Sequence, residues 1–305
     1  MAVITRSAHP DALWPGVFEW FGLAYKEQPE TYKELFDVNT SSKHMEIIAE
    51  STQFGLAPEK AEGASITYDE AREGIKSSFT HKSYALGYIV TREEMEDSQY
   101  DALSRARARA LAFSMRKTKE TVCWNIMNRA FSGSYVGGDG VALCSTAHVT
   151  RSGNQANRPT VDADLSEASL EDAVKDIIIM KNARGLRIQA TPKKLVIPVN
   201  EIFNAERYLN STLRPGTGNN DVNAIKSLGM LAGAPLVSPY LSDPDAWFLT
   251  VDIGGDKGLK LFERRKMDFN KDEDWGTENA RAKSTMRFSV GWSDWRALWG
   301  TQGAG

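Results

Sequence analysis

Hydrophobic and polar positions along this chain change period several times, and each change marks an element. From Ser65 to Val90 the period is two: Ile66 and Tyr68 alternate, then Ile75, Ser77 and Phe79, then Tyr84, Leu86, Tyr88 and Val90. Such alternation predicts strands, with the polar stretch Asp69 to Gly74 as the reversal of a hairpin. A two-stranded ribbon is marginal alone and requires a partner surface. Between Glu93 and Phe131 the period lengthens, and about 39 residues pass without a Gly or Pro. One helix of that length would be about 58 Å long, too long for an ordinary compact domain and suited to a beam across a flat subunit. Its expected buried stripe is Leu103, Ala106, Ala110, Ser114, Thr118, Val122 and Ile126, at three-to-four spacing. Arg105, Arg107, Arg109, Arg116, Lys117 and Lys119 are expected on the solvated faces.

Ahead of the ribbon, Trp14, Phe18, Trp20, Phe21, Tyr25, Tyr32 and Phe36 crowd a segment broken by Pro15 and Pro29. So many aromatics cannot all be covered locally, so this arm must pack on the main body or on a neighbouring chain. Behind the long helix, Gly133, Gly137, Gly138 and Gly140 predict a turn, and Val141 to Val149 a short strand. At Asp164 a compact mixed unit begins. Asp164 with Glu167 resembles a capping box, and Leu170, Ala173, Val174, Ile177 and Met180 form the apolar face of a helix ending at Gly185. Leu195 to Ile197 predicts a buried strand stopped by Pro198, Glu201 to Leu209 a second helix, and Arg214 to Asp221 an exposed loop. Trp247 to Val251 and Leu259 to Phe262 predict strands, and Arg281 to Trp299 alternates towards Trp292, Trp295 and Trp299.

Composition acts mainly by exclusion. The 305 residues allow one or two domains with a sizeable core. A formal net charge of −3 gives no sign of a dedicated nucleic-acid binder. The longest aliphatic run, Ile177 to Met180, is far below a membrane span, and no secretory signal is expected from the N-terminal sequence. Cys123 and Cys144, the two cysteines, are expected as buried thiols in a reducing compartment.

Candidate chemistry is sparse. Cys144 and His148 suggest a thiol with its base, but four residues along a strand separate them by roughly 13 Å. His9, His44, His81 and His148 form no zinc-type cluster in sequence. Asp268, Asn270, Asp272 and Asp274 have the spacing of a calcium loop, yet Glu273 stands where Gly is needed and Asn279 where Glu is needed, so a solvated acidic turn is expected. Gly254 to Gly258 lacks the Gly-Lys-Ser/Thr ending of a phosphate loop and reads as a tight hairpin turn. The final tryptophans are expected in the core rather than as a base-stacking platform. No catalytic residue, cofactor or metal is therefore expected.

The chain runs in the order of arm, ribbon, beam, mixed unit and returning strands, and carries the stretches Phe79 to Asp97, Gly138 to His148, Leu165 to Leu170, Pro192 to Pro198 and Val290 to Arg296. In that order and those stretches it resembles the major head subunits of tailed bacteriophages of the Hong Kong 97 type, nearest to the Mu-like ones. The resemblance implies an α+β fold with an N-terminal arm (1–50), an extended loop (51–84), a peripheral domain with a spine helix (85–160), an axial domain (161–259) and peripheral return strands (260–305). It implies a structural protein, not an enzyme, that self-assembles into pentamers and hexamers of an icosahedral virion shell around double-stranded DNA, built in the bacterial cytoplasm. Implied partners are copies of itself, scaffolding, portal and decoration proteins, and DNA without sequence-specific contacts; no membrane is involved. Expected subunit-interface residues are Trp14, Phe18, Trp20 and Phe21 of the arm and Tyr68, Arg72, Ile75 and Phe79 of the ribbon. The alternatives are an encapsulin-like cellular compartment and, further off, a soluble mixed-fold enzyme.

Overall fold

The computed structural model describes residues 14–91, 93, 100–214, 221–231, 233–255, 257–274, 276–277 and 279–304. Two four-stranded sheets and a long helix organise them. The first sheet has the order β1 (Asp37–Thr40), β10 (Leu259–Glu273), β11 (Ala280–Trp292), β4 (Lys82–Val90), with β1 parallel to β10 and the rest antiparallel. Helices α1 (Trp14–Glu27), α2 (Tyr32–Leu35) and α3 (Tyr100–Asn128) pack against it. The second sheet has the order β12 (Leu298–Thr301), β9 (Trp247–Asp252), β7 (Thr191–Pro198), β8 (Leu236–Ser238). It is covered on one face by α4 (Glu167–Ile178), α5 (Ile202–Asn210) and α6 (Ala224–Leu228).

The second sheet is a wall between two cores. Leu195, Ile197, Trp247, Leu249, Val251 and Trp299 face the α4 side, while Val196, Phe248 and Leu298 face the α3 side. Period-two alternation with both faces buried leaves no polar positions, hence the continuous run Leu195-Val196-Ile197. Trp295 and Trp299 are core residues as expected, and Trp292 is partly buried.

Helix α3 spans 29 residues, about 44 Å. It is shorter than the 39 residues expected, and residues 94–99 lie outside those described. Its buried face is also different. Ala108, Leu111, Ala112, Met115, Cys123, Trp124 and Met127 are buried, whereas Ala106 and Ala110 are exposed and the side chain of Leu103 is not described. The expected stripe is rotated by about one residue, or 100°. The discrepancy arises from charge: Arg116, Lys119 and Glu120 lie on the inner face, not the solvated one, because each has a partner there. Arg116 pairs with Glu30, Lys119 with Glu263 on β10, and Glu120 accepts from Thr31 N (2.8 Å) and Thr31 Oγ1 (2.7 Å). A buried charge with such partners is tolerated where an unpaired one is not.

The same pairs dock the arm on its own chain. Phe21 is buried against Phe269, with ring centroids 4.7 Å apart, and Arg116 donates through Nη2 to Tyr25 O at 2.9 Å near the C-terminal end of α1.

The ribbon is built differently from the expected hairpin. Strand β3 (Glu73–Thr80) pairs antiparallel with β2 (Met45–Ser51), whereas β4 pairs with β11. The chain changes partner at His81, which is buried between Ser41 Oγ (3.1 Å) and Ser289 Oγ (3.0 Å). Residues 65–72 form no strand; the reversal is the whole connection 52–72.

Smaller differences have equally local causes. Residues 141–147 are irregular apart from an isolated antiparallel bridge between Ala142 and Val136, and the strand is only β5 (His148–Thr150), paired with β6 (Gly153–Gln155). The cap of α4 is Ser166 with Ser169, not Asp164 with Glu167, and the helix ends at Ile178, short of Gly185. Asp268 to Asp272 lie within β10, not in a turn, and Gly254 to Gly258 carry the chain from one sheet to the other, not around a hairpin.

Candidate assembly surfaces

Connection 52–72 projects from the end of the ribbon and is closed at its base by short-range polar contacts. Thr52 N donates to Arg72 O at 2.9 Å and Arg72 N to Thr52 Oγ1 at 2.8 Å. Further out, Asp69 accepts from Gly55 N at 2.8 Å and pairs with Arg184, in the turn after α4. Those hydrogen bonds, from Arg184 first and then from the Gly55 and Glu70 amides, hold the Asp69 carboxyl well below the usual carboxylate range. Asn182 Nδ2 donates to Gln53 Oε1 at 2.9 Å, a second tie to the same turn.

Tied down this way, the connection still exposes its apolar side chains. Leu56 is 83% and Tyr68 86% exposed, with Phe54 and Ile66 more than half exposed. Ile47 on β2 is also more than half exposed. A second apolar group lies at the far end of the α4 side, where Phe203, Val199 and Leu228 are exposed on or beside α5 and α6. Single exposed apolar residues are ordinary, but four large ones on one connection mark a candidate contact surface.

The expected interface residues divide. Tyr68 and Arg72 are exposed on the connection, and Ile75 and Trp20 are partly covered, the latter by Arg105 at 4.2 Å from its ring. Phe21 and Phe79 are buried in the chain's own core and have no free surface for a neighbour, contrary to expectation. The side chains of Trp14 and Phe18 lie outside those described. Leu56 and Phe54 were missed because no periodicity surrounds them; the signal was an apolar residue without a period in a Gly-, Pro- and Ala-rich stretch.

The Cys144 and His148 pairing is not assembled. His148 Nε2 donates to Asn157 Oδ1 at 3.0 Å, since the Asn157 amide nitrogen is committed to the carbonyls of Leu143, Trp295 and Leu298. His148 Nδ1 faces Asp139 Oδ2 at 2.5 Å, and Trp295 stacks on the ring at 4.1 Å. Burial pushes the thiols of both Cys123 and Cys144 up, the opposite of an activated nucleophile. Among the described residues no three His, Cys, Asp or Glu side chains gather as metal ligands, and no helix is long and apolar enough to cross a membrane.

Residues 74–300 match the family model described as phage capsid protein, about three quarters of the chain. The chain belongs to the phage capsid protein family. Its function is structural, as a capsid shell protein, and the family match favours the phage head over the encapsulin-like compartment. Solved structures agree in fold, at identities too low to show more. A structure of Mycobacterium phage Patience aligns with a TM-score of 0.56 at 10% identity, covering 99% of this chain and 90% of that one. The capsid of the native GTA particle aligns at 0.53 and 13% identity over 91% and 92%. The virus-like particle from Pyrococcus furiosus aligns at 0.53 and 10% over 93% and 96%. The fold is the α+β Hong Kong 97-type capsid fold. No curated protein matches the chain.

Proposed function

We propose that this capsid protein is the major head subunit, which tiles into pentamers and hexamers of a closed icosahedral shell around double-stranded DNA and performs no catalysis. The observation that supports this reading is surface. Connection 52–72 leaves Leu56 83% and Tyr68 86% exposed, with Phe54 and Ile66 more than half exposed, apolar surface that a single copy does not bury. The apolar surface that a single copy leaves open here is the surface that a neighbouring copy would cover. Head-to-tail contacts of this kind close into rings when the rotation permits. The remaining apolar group around Phe203 and Leu228 suits contacts between copies within a ring.

Residues 1–50 would act as the arm, 51–84 as the extended loop, 85–160 with 260–305 as the peripheral domain and 161–259 as the axial domain. Scaffolding, portal and decoration proteins are the expected partners during assembly in the bacterial cytoplasm. A net charge of −3 suits a container that encloses DNA without clamping it.

Expression followed by electron microscopy of the particles tests the reading. Wild-type protein should yield closed shells, and Leu56→Asp with Tyr68→Asp should yield folded subunits with an unchanged melting curve and no shells. Shells of normal size and stability from the double variant would refute it.

A further inference from the structure

Helix α3 is one-sided in charge. Between Ala102 and Asn128 it carries six bases, and its one acid there, Glu120, is buried and bound to Thr31. Arg116 and Lys119 are neutralised on the inner face by Glu30 and Glu263. What is left on the outer face includes a row that recurs every four residues: Arg105 and Arg109, both exposed, Phe113, 49% exposed, and the half-buried Lys117. Four residues turn the helix by 400°, so the row drifts by only about 40° per step and runs about 18 Å along the axis. Exposed Ala106 and Ala110 stand beside it and leave room for a rod-like partner to approach the arginines.

This row lacks counter-charge on its own chain. Among the described residues Arg109 has no ion pair, Arg105 lies over the Trp20 ring at 4.2 Å, and the Lys117 amine lies 5.4 Å from the Phe113 ring and 5.6 Å from that of Tyr240. Ring faces attract a cation without cancelling its charge. Arg105 and Arg109 are also four apart, the spacing at which like charges destabilise a helix. An external anion would relieve that repulsion. Alongside, α1 brings Glu19 and Glu27 against Lys26, so the basic surface is that of α3 alone. A second basic group, Arg265, Lys283 and Arg287 on the far face of the first sheet, is interleaved with Asp268 and Asp272. Of the two, only the α3 row is free of carboxylates.

We infer that the outer face of α3 is the surface on which the subunit meets packaged double-stranded DNA, through phosphate contacts from Arg105, Arg109 and Lys117 that read no sequence. The occupant follows from the pattern. A duplex carries one charge per about 1.7 Å of axis, so a straight row of cations meets phosphate along its length at any register, whereas a folded acidic protein offers carboxylates at scattered points. Three contacts per copy leave the affinity weak and sensitive to salt. DNA is thereby lined up against the wall and still moves past it, in keeping with a net charge of −3. The inference rests on the reading of the chain as a shell around DNA; the contact itself is a property of the single subunit.

Binding of a short fluorescent duplex of arbitrary sequence to the unassembled full-length subunit, followed by anisotropy as potassium chloride is raised, tests it apart from assembly. With about three phosphates neutralised, log affinity should fall against log salt with a slope near −2.7, roughly fortyfold between 50 and 200 mM. Arg105→Gln with Arg109→Gln and Lys117→Gln should reduce the slope to less than about 1 in magnitude and weaken binding at 50 mM salt at least about tenfold. Arg105→Lys with Arg109→Lys should keep the wild-type slope, since charge and not shape makes the contact. Arg265→Gln with Lys283→Gln and Arg287→Gln should change the slope by less than about 1. A triple-glutamine α3 variant that binds like wild type, or a larger loss in the sheet variant, would overturn the inference. So would poly-glutamate that displaces the labelled duplex at a lower charge concentration than unlabelled duplex does, which would make the partner an acidic protein. Shells from a wild-type protein whose free subunit leaves the duplex unbound would sink this inference and spare the shell reading.

Discussion

Two substitutions two residues apart on α3 should differ about tenfold in cost. Ala112 is fully buried in the core between the helix and the first sheet, and Ala110 is exposed on the outer face. In Ala112→Asp, an ionised carboxylate would enter that core without a partner, so the group would take up a proton instead. Giving up ionisation at pH 7 costs about 4 kcal/mol from an ordinary value near 3.9, and burying the neutral acid without hydrogen bonds costs a further 1–3 kcal/mol. The sum, about 5–7 kcal/mol, is comparable with the whole stability of many domains. With an unfolding entropy near 2.1 cal/mol/K per residue it lowers the melting temperature by about 10 °C, if the chain melts as one unit. Ala110→Asp should cost only the difference in helix propensity, about 0.6 kcal/mol, or about 1 °C. Thermal melting of the unassembled subunits by circular dichroism measures both. Equal shifts in the two variants, or a larger one in Ala110→Asp, would refute the orientation of the helix and with it the account of the paired charges on its inner face.

Three further outcomes follow from the contacts. Phe21→Ala should destabilise the subunit by about 3–5 kcal/mol in denaturant titration, the usual cost of emptying an aromatic core site; a loss below about 1 kcal/mol would mean that α1 is not docked on its own chain. The Cys123 and Cys144 thiols should stay silent towards a thiol reagent in the native protein and react together on unfolding, because burial raises both; fast native labelling of either would contradict the core. Asp69→Asn should increase protease cleavage within 52–72 with little change in melting. Because the Asp69 carboxyl is held low, its clamp is present above the ordinary carboxylate range and lost only as pH falls through the depressed value, so wild-type resistance should persist down to about pH 4.

The mixed unit was the most legible part of the chain. Strand β7, helix α5 and strand β9 each fall within a few residues of expectation, and α4 lies where its apolar stripe placed it although it ends at Ile178, because the period of buried positions is local to each element. The order of elements carried the family resemblance for the same reason. Partner choice was not legible. The alternation changes phase between Phe79 and Tyr84, which marks a break but does not name partners: nothing local tells Phe79 that its strand turns back to β2 while Tyr84 belongs to a sheet completed by β11, about 200 residues later in the sequence.

Pattern alone fixes which residues share a face, because side-chain direction follows from backbone period. It could not fix which face of α3 points inward, since charge is read as solvated until a partner is seen, and Glu30 and Glu263 lie 86 and 144 residues from the bases they neutralise. Nor could it reveal the Glu50–Arg296 ion pair: the two residues are 246 positions apart, and only packing of the ribbon on the C-terminal turn brings them to 3.0 Å.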